Sequence, residues 1–219
     1  NLWIAIYQKG VMMIPAQPNS FKYIGYKSIN KNIIGSNCIT SLCRDHKGIL
    51  WIGTDNDGIY GITTELKQKV HYAPHDSPSS VPSTVFGLYE DSEHNLWFGS
   101  YTNGLGRLDK KTGQCSYLQN LTDKNGNRIQ RVYDLVEDQD KRLWIATMGA
   151  GLFYYDLKTG QSVYDPKFNA ATEKYKWISC LLYAGDNHLY VGTYDGIRCI
   201  DLSTDDFKTE EILSRHIIH

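Results

Sequence analysis

The chain has 219 residues, with 23 lysines and arginines against 24 aspartates and glutamates, and a net charge of -1. That balance excludes the broad basic face needed to grip a phosphate backbone, so nucleic acid is not an expected partner. No apolar run reaches the about 18 residues of a membrane helix, and the N-terminus lacks the charged-then-apolar layout of a signal peptide.

Beginning at Asn1-Leu2-Trp3, the chain reads as an excerpt of something longer, and its compartment is not legible from targeting signals. The five cysteines, Cys38, Cys43, Cys115, Cys180 and Cys199, have neither C-x-x-C spacing nor the density of a disulfide scaffold. Cys38 and Cys43 fall on one predicted strand, about 16 Å apart and beyond disulfide reach, so free buried thiols are expected.

One phrase recurs five times. It runs Leu2-Trp3-Ile4-Ala5 with Gly10, Leu50-Trp51-Ile52-Gly53 with Gly58, Leu96-Trp97-Phe98-Gly99 with Gly104, Leu143-Trp144-Ile145-Ala146 with Gly151, and Leu189-Tyr190-Val191-Gly192 with Gly196. Trp3, Trp51, Trp97, Trp144 and Tyr190 stand 48, 46, 47 and 46 residues apart. A fixed period of this size marks stacked units sharing one continuous core.

Within a period the elements follow in order. An apolar stretch rich in β-branched and aromatic residues comes first, as at 39–43, 85–89, 132–136 and 178–182, and reads as strand A. A polar turn opened by Asp45, Asp91 or Asp138 leads into the tryptophan strand, B, so A and B are expected to pair as a hairpin. Gly48 fills the left-handed slot of the first such turn, where later copies carry His94, Lys141 and Asn187 under some strain. Strand B ends in a small residue plus a hydroxyl residue. A loop to the recurring glycine follows, then strand C, a turn of Asp-x-x-Thr-Gly type at Asp109–Gly113 and Asp156–Gly160, and a polar strand D near 69–72, 115–118, 162–164 and 208–212.

Four antiparallel strands per period make the blade of an all-β propeller, with the tryptophans packing between blades. The predicted blades are a partial one at 1–35, holding strands B to D, and complete ones at 36–82, 83–128, 129–175 and 176–219, all in a single segment 1–219. No strand remains to finish the first blade. An open arc is expected, its apolar end faces shielded by another copy or by further chain.

The stretches Glu90-Asp91…Asn95-Leu96-Trp97-Phe98-Gly99-Ser100…Asn103-Gly104-Leu105…Leu108-Asp109-Lys110-Lys111-Thr112-Gly113 and Glu137-Asp138…Leu143-Trp144-Ile145-Ala146-Thr147…Gly151-Leu152…Asp156-Leu157-Lys158-Thr159-Gly160 resemble the two-component regulator propeller repeat. Tyr190 departs from that pattern, as does the truncated first copy. The resemblance implies a seven-bladed propeller in the extracytoplasmic, periplasmic sensor region of a hybrid histidine kinase. It further implies an oligosaccharide as ligand, a homodimer formed through the parent protein, and attachment to a membrane only through other segments.

No nucleophile–base order, phosphate loop or zinc-protease motif is present, so neither enzymatic activity nor a cofactor is expected of the segment. The histidines are dispersed over turns and outer strands, and His71 and His75 do not converge on an extended segment, so no metal is expected. The aspartates opening the A–B turns recur at one slot, which marks them as turn caps.

Candidate recognition residues lie where the repeats disagree, in the B–C loops and the segments entering strand A. Trp177, Tyr101, Tyr194, Arg128 and Arg131, with Asn103 and Asp195, offer aromatic faces and planar polar groups of the kind that bind sugars. Two other readings share this fold, a protein-interaction scaffold and part of a propeller lyase.

Overall fold

The computed structural model describes residues 2–6, 8–14, 22–26, 33–123, 125–164, 169, 177–203 and 209–214. All nineteen named elements among them are strands, arranged in five antiparallel sheets. The first sheet holds β1 (Leu2–Ile6), β2 (Gly10–Ile14) and β3 (Lys22–Ile24), which are strands B, C and D of the partial blade. The second holds β4 (Ile39–Arg44), β5 (Leu50–Thr54), β6 (Ile59–Ile62) and β7 (Gln68–Tyr72). β8 (Val85–Glu90), β9 (Leu96–Ser100), β10 (Leu105–Leu108) and β11 (Cys115–Tyr117) form the third. β12 (Val132–Glu137), β13 (Arg142–Thr147), β14 (Leu152–Asp156) and β15 (Gln161–Tyr164) form the fourth. The fifth holds β16 (Ile178–Tyr183), β17 (His188–Thr193), β18 (Gly196–Asp201) and β19 (Thr209–Ser214). By internal packing the chain forms two compact units, residues 1–98 with 107–116 and residues 99–106 with 117–219.

Strand order in each sheet follows the sequence, as hairpin-linked blades require. Each tryptophan slot sits between its own neighbours: Trp51 opposite Cys43 and Gly61, Trp144 opposite Val136 and Tyr154, and Tyr190 opposite Leu182 and Cys199. One feature of strand A is not foreshadowed by its apolar pattern. Register slips by one residue at Thr40, Tyr133 and Ser179, the same slot in three blades, so each of these is a bulge residue. At the first bulge the Thr40 hydroxyl donates to the carbonyl of Val85 in the next blade, whereas at the third the Ser179 hydroxyl donates to the Gly192 carbonyl of its own sheet at 3.3 Å.

Three of the four described A–B turns are each held by one carboxylate. Oδ1 of Asp45 accepts the N–H groups of Lys47 and Ile49 at 3.0 and 2.8 Å, while Oδ2 accepts the indole N–H of Trp51 at 2.9 Å. Asp91 does the same for Glu93, Asn95 and Trp97, and Asp138 for Asp140, Arg142 and Trp144. The residues in the Gly48 slot do adopt left-handed backbone, with φ of 67° at His94, 70° at Lys141 and 61° at Asn187.

The apolar faces pack blade on blade. Trp144 is fully buried among Ile178, Leu189, Val191 and Ile200 of the following sheet and Leu202 just beyond β18. In the other unit, Trp3 packs against the cluster of Val11, Ile39, Leu50 and Ile52. The recurring glycine adds a polar clip: the N–H of Gly10 donates to Asn37, that of Gly58 to Ser83 and that of Gly104 to Gln130, each acceptor being a carbonyl just ahead of the next strand A. At Gly104, φ is 78° and a Cβ would land on the carbonyl oxygen of Ile129, so only glycine fits.

All five cysteines are free, as expected. Cys115 and Cys199 are buried and Cys38 and Cys43 half-buried, but Cys180 is exposed, contrary to the uniform burial expected. Cys38 also lies just ahead of β4 rather than on it.

Candidate functional site

The predicted recognition residues all fall in the unit formed by residues 99–106 and 117–219. β9 ends in Ser100, whose buried hydroxyl donates to the carbonyl of Gly104 at 3.1 Å and accepts the N–H of Asn103 at 2.8 Å. This closes a tight loop, and Tyr101 is left on its outer side, 43% exposed. The segment entering β12 meets that loop twice. Arg128 Nη2 donates to the carbonyl of Asn103 at 3.1 Å, and the Arg131 guanidinium lies 5.1 Å from the centre of the Tyr101 ring.

Backbone bonds carry the series onward. The Arg131 carbonyl accepts the N–H of Met148 at 3.0 Å, Met148 is bridge-paired with Trp177, and the Trp177 carbonyl accepts the N–H of Tyr194 at 3.4 Å. Trp177 and Tyr194 are 51% and 70% exposed, large apolar faces that folding leaves in water. Asp195 closes the last loop by donating its N–H to the Thr193 hydroxyl at 3.3 Å. The structure thus joins Tyr101 with Arg131 and Asn103 with Arg128 directly, and links Trp177, Tyr194 and Asp195 to them through the Met148 backbone. Burial pushes the Tyr133 phenol above its ordinary range, with Tyr101 adding to the rise and Arg131 opposing it. The neighbouring loop residues Lys174, Tyr175 and Lys176 lie outside the described residues.

A second cluster, in the other unit, was not foreseen. His46 and His94 occupy A–B turns of successive blades, and their rings stack with centres 3.6 Å apart at 22°. Glu90, its side chain 9% exposed, accepts the backbone N–H of His46 at 2.6 Å on Oε2 and shares Oε1 between His46 Nδ1 at 2.8 Å and Lys110 Nζ at 2.6 Å. Burial raises the Glu90 pKa, but its bonds from Lys110 and His46 outweigh that and hold it below its ordinary value. Sequence spacing held the signal: His46 follows Asp45 directly, while His94 and Glu90 flank Asp91 in the next copy. His71 and His75 take separate partners. His71 stacks on Tyr60 at 3.9 Å and bonds the Asp57 carbonyl through Nε2 at 2.9 Å, whereas His75 Nδ1 lies 3.4 Å from the Ala73 carbonyl. His216 and His219 lie outside the described residues.

Comparison with known proteins agrees with these repeats. Residues 33–56, 79–102 and 126–149 match the two component regulator propeller family, each match spanning an A–B hairpin and its following loop. No curated protein sequence matches the chain. Among solved structures, the extracellular domain assigned to the hybrid two component system BT3049 of B. thetaiotaomicron is 20% identical, with a TM-score of 0.72 over 97% of this chain and 29% of that one. The corresponding domain assigned to BT4673 of the same organism is 18% identical, with a TM-score of 0.66 over 93% of this chain and 34% of that one. A virginiamycin B lyase from Staphylococcus aureus, solved as an inactive variant with quinupristin, is 15% identical, with a TM-score of 0.66 over 93% of this chain and 62% of that one. The chain therefore spans about a third of the length of the two component structures it matches. At these identities the likeness establishes the all-β propeller fold. Three successive hairpins, within residues 33–56, 79–102 and 126–149, thus match the two component regulator propeller repeat and carry the same Asp–Trp bond.

Proposed function

We propose that this chain is a ligand-recognition segment in the extracytoplasmic sensor of a hybrid two component signalling protein, and that its ligand is an oligosaccharide. The observation that carries the reading is the continuous rim from Asn103 and Tyr101 through Arg128 and Arg131 to Trp177 and Tyr194. Exposed aromatic faces stack on the C–H faces of sugar rings, while guanidinium groups donate to hydroxyls and carboxylates in a fixed plane. The repeat family, and the extracellular two component domains that share the fold, support the sensory setting. In that setting the role of the segment is binding rather than catalysis. Ligand would act by biasing the arrangement of propellers in a dimer of the parent protein.

Calorimetric titration of the chain with a panel of neutral and acidic oligosaccharides tests the ligand class. Binding that disappears in Trp177→Ala and Tyr101→Ala, with thermal midpoints unchanged, supports the rim. Binding that survives both substitutions, or no binding across the panel, removes it. The reading frame on either side tests the sensory setting independently, since a membrane-spanning helix followed by a kinase core is expected.

A further inference from the structure

We infer that His46, Glu90 and His94 form a binding site for a first-row divalent transition cation, with zinc the chemically natural occupant. Two imidazoles and one carboxylate make a donor set suited to zinc, nickel, copper or cobalt, whereas calcium and magnesium favour oxygen alone. The three ligand atoms already lie within 4.8 Å of one another. Tetrahedral zinc, with bonds of about 2.0 to 2.2 Å, needs them about 3.3 Å apart. Closure requires the two imidazoles, now stacked 3.6 Å apart at 22°, to rotate until their ring nitrogens converge beside Glu90 Oε1.

The carboxylate is set in advance. The backbone N–H of His46 fixes Glu90 Oε2, leaving Oε1 facing His46 Nδ1 at 2.8 Å. Lys110 occupies Oε1 without metal, but Asp45 Oδ2 lies 3.8 Å from the same ammonium. When a cation takes Oε1, Lys110 has this second carboxylate to turn to. Asp45, Glu90 and Asp109 balance Lys110, Lys111 and Arg107 around the cluster and its groove, so a divalent ion meets no net positive charge there. A groove of about 580 Å³, lined in part by His94, Asn95, Lys110 and Lys111, opens beside the cluster and admits a hydrated ion.

The site depends on two different slots of the repeat. His46 is the second residue of its turn, where the aligned positions carry Ser92 and Gln139, and His94 fills the left-handed slot that is Gly48 one blade earlier. A bound ion therefore ties the turn of one blade to the turn of the next, within one compact unit.

Titration of the chelator-treated 219-residue chain with zinc chloride, followed by calorimetry, is expected to give one ion per chain and a higher thermal midpoint. Copper-loaded chain is expected to show electron paramagnetic hyperfine structure from two imidazole nitrogens. His94→Gly is the deciding variant, because glycine suits the φ of 67° at that position and the fold is retained. It should lose affinity by at least about tenfold, as should His46→Gln, while the metal-free midpoint of His94→Gly stays level or rises. His188→Gln, at the start of β17, should bind as the unmodified chain does. Undiminished affinity in His94→Gly, hyperfine structure from fewer than two nitrogens, or no zinc binding by the unmodified chain would each overturn the assignment.

Discussion

The indole N–H of Trp97 donates to Oδ2 of Asp91 at 2.7 Å, while Oδ1 of that carboxylate accepts two backbone N–H groups of the turn. One buried side chain thus closes the A–B hairpin and locates the residue that packs between blades. Asp91→Ala leaves a buried indole N–H and two turn N–H groups without their acceptor, and should cost about 2 to 3 kcal/mol. Trp97→Ala should cost about 3 to 5 kcal/mol through the cavity it opens. In the double variant the two losses should sum to less than their total by at least about 0.5 kcal/mol, since the shared bond is lost only once. Urea unfolding of the four proteins measures this coupling, and strictly additive losses would show that the bond contributes nothing.

Two glycines with nearly the same backbone should respond differently to alanine. Gly104 has φ of 78° and Gly126 of 81°, but an added Cβ meets the Ile129 carbonyl at the first and nothing within 4 Å at the second. Gly126→Ala should therefore cost only the left-handed backbone strain, about 1 to 2 kcal/mol. Gly104→Ala carries that strain plus a backbone displacement that also breaks its clip to Gln130, and should be destabilised by clearly more. Equal shifts in urea midpoint would mean that the clip is dispensable.

The contrast between these glycines shows what was legible in the sequence. Period, strand order and the Asp, Trp and Gly slots are local patterns repeated several times, so each copy corroborates the others. The bulges at Thr40, Tyr133 and Ser179 left no trace because apolar composition does not record which residue drops out of a ladder. The rim residues are departures from the repeat, yet the pairing of Arg128 with Asn103 depends on the segment between β11 and β12 returning to the β9–β10 loop. His46 and His94 escaped notice for the same reason: 48 residues separate them, and only stacking of blades places one ring on the other.

Glu90 should give the protein a steeper acid limb. Its pKa in the folded chain lies below the ordinary 4.5, so its contribution to stability is fully present above that value and fades as pH falls through the folded pKa. Glu90→Gln removes the ion pair with Lys110 and should be less stable than the unmodified chain at pH 7. The gap between the two should narrow as pH is lowered below 4.5 and through the depressed pKa of Glu90. Urea midpoints taken at half-unit intervals give the profile, and a gap that is constant with pH would remove Glu90 as its source.

Thiol chemistry should separate the five cysteines by environment. Burial pushes the Cys115 thiol up to about 12 and the Cys43 thiol up to about 11, which leaves almost no thiolate at pH 8. Cys180 is exposed on β16. Brief alkylation of the native chain at pH 8, read by peptide mass spectrometry, should modify Cys180 first and leave Cys43 and Cys115 unmodified until denaturant is added. Early labelling of Cys115 would contradict the burial of its side chain.

The last blade offers a gain-of-stability test of the Asp–Trp bond. Ala184 and Tyr190 stand six residues apart in the slots held elsewhere by aspartate and tryptophan, and the turn still closes by donation of the Ala184 N–H to the His188 carbonyl at 3.1 Å. The backbone is thus already shaped for the missing carboxylate, with Asn187 left-handed as its counterparts are. Ala184→Asp alone should add turn caps worth about 0.5 to 1 kcal/mol. Combined with Tyr190→Trp it should gain more than the two single changes together, because only the pair forms the indole bond. A double variant no more stable than Ala184→Asp would indicate that the tryptophan slot of this blade is shaped around tyrosine, which stands directly opposite Cys199 on β18.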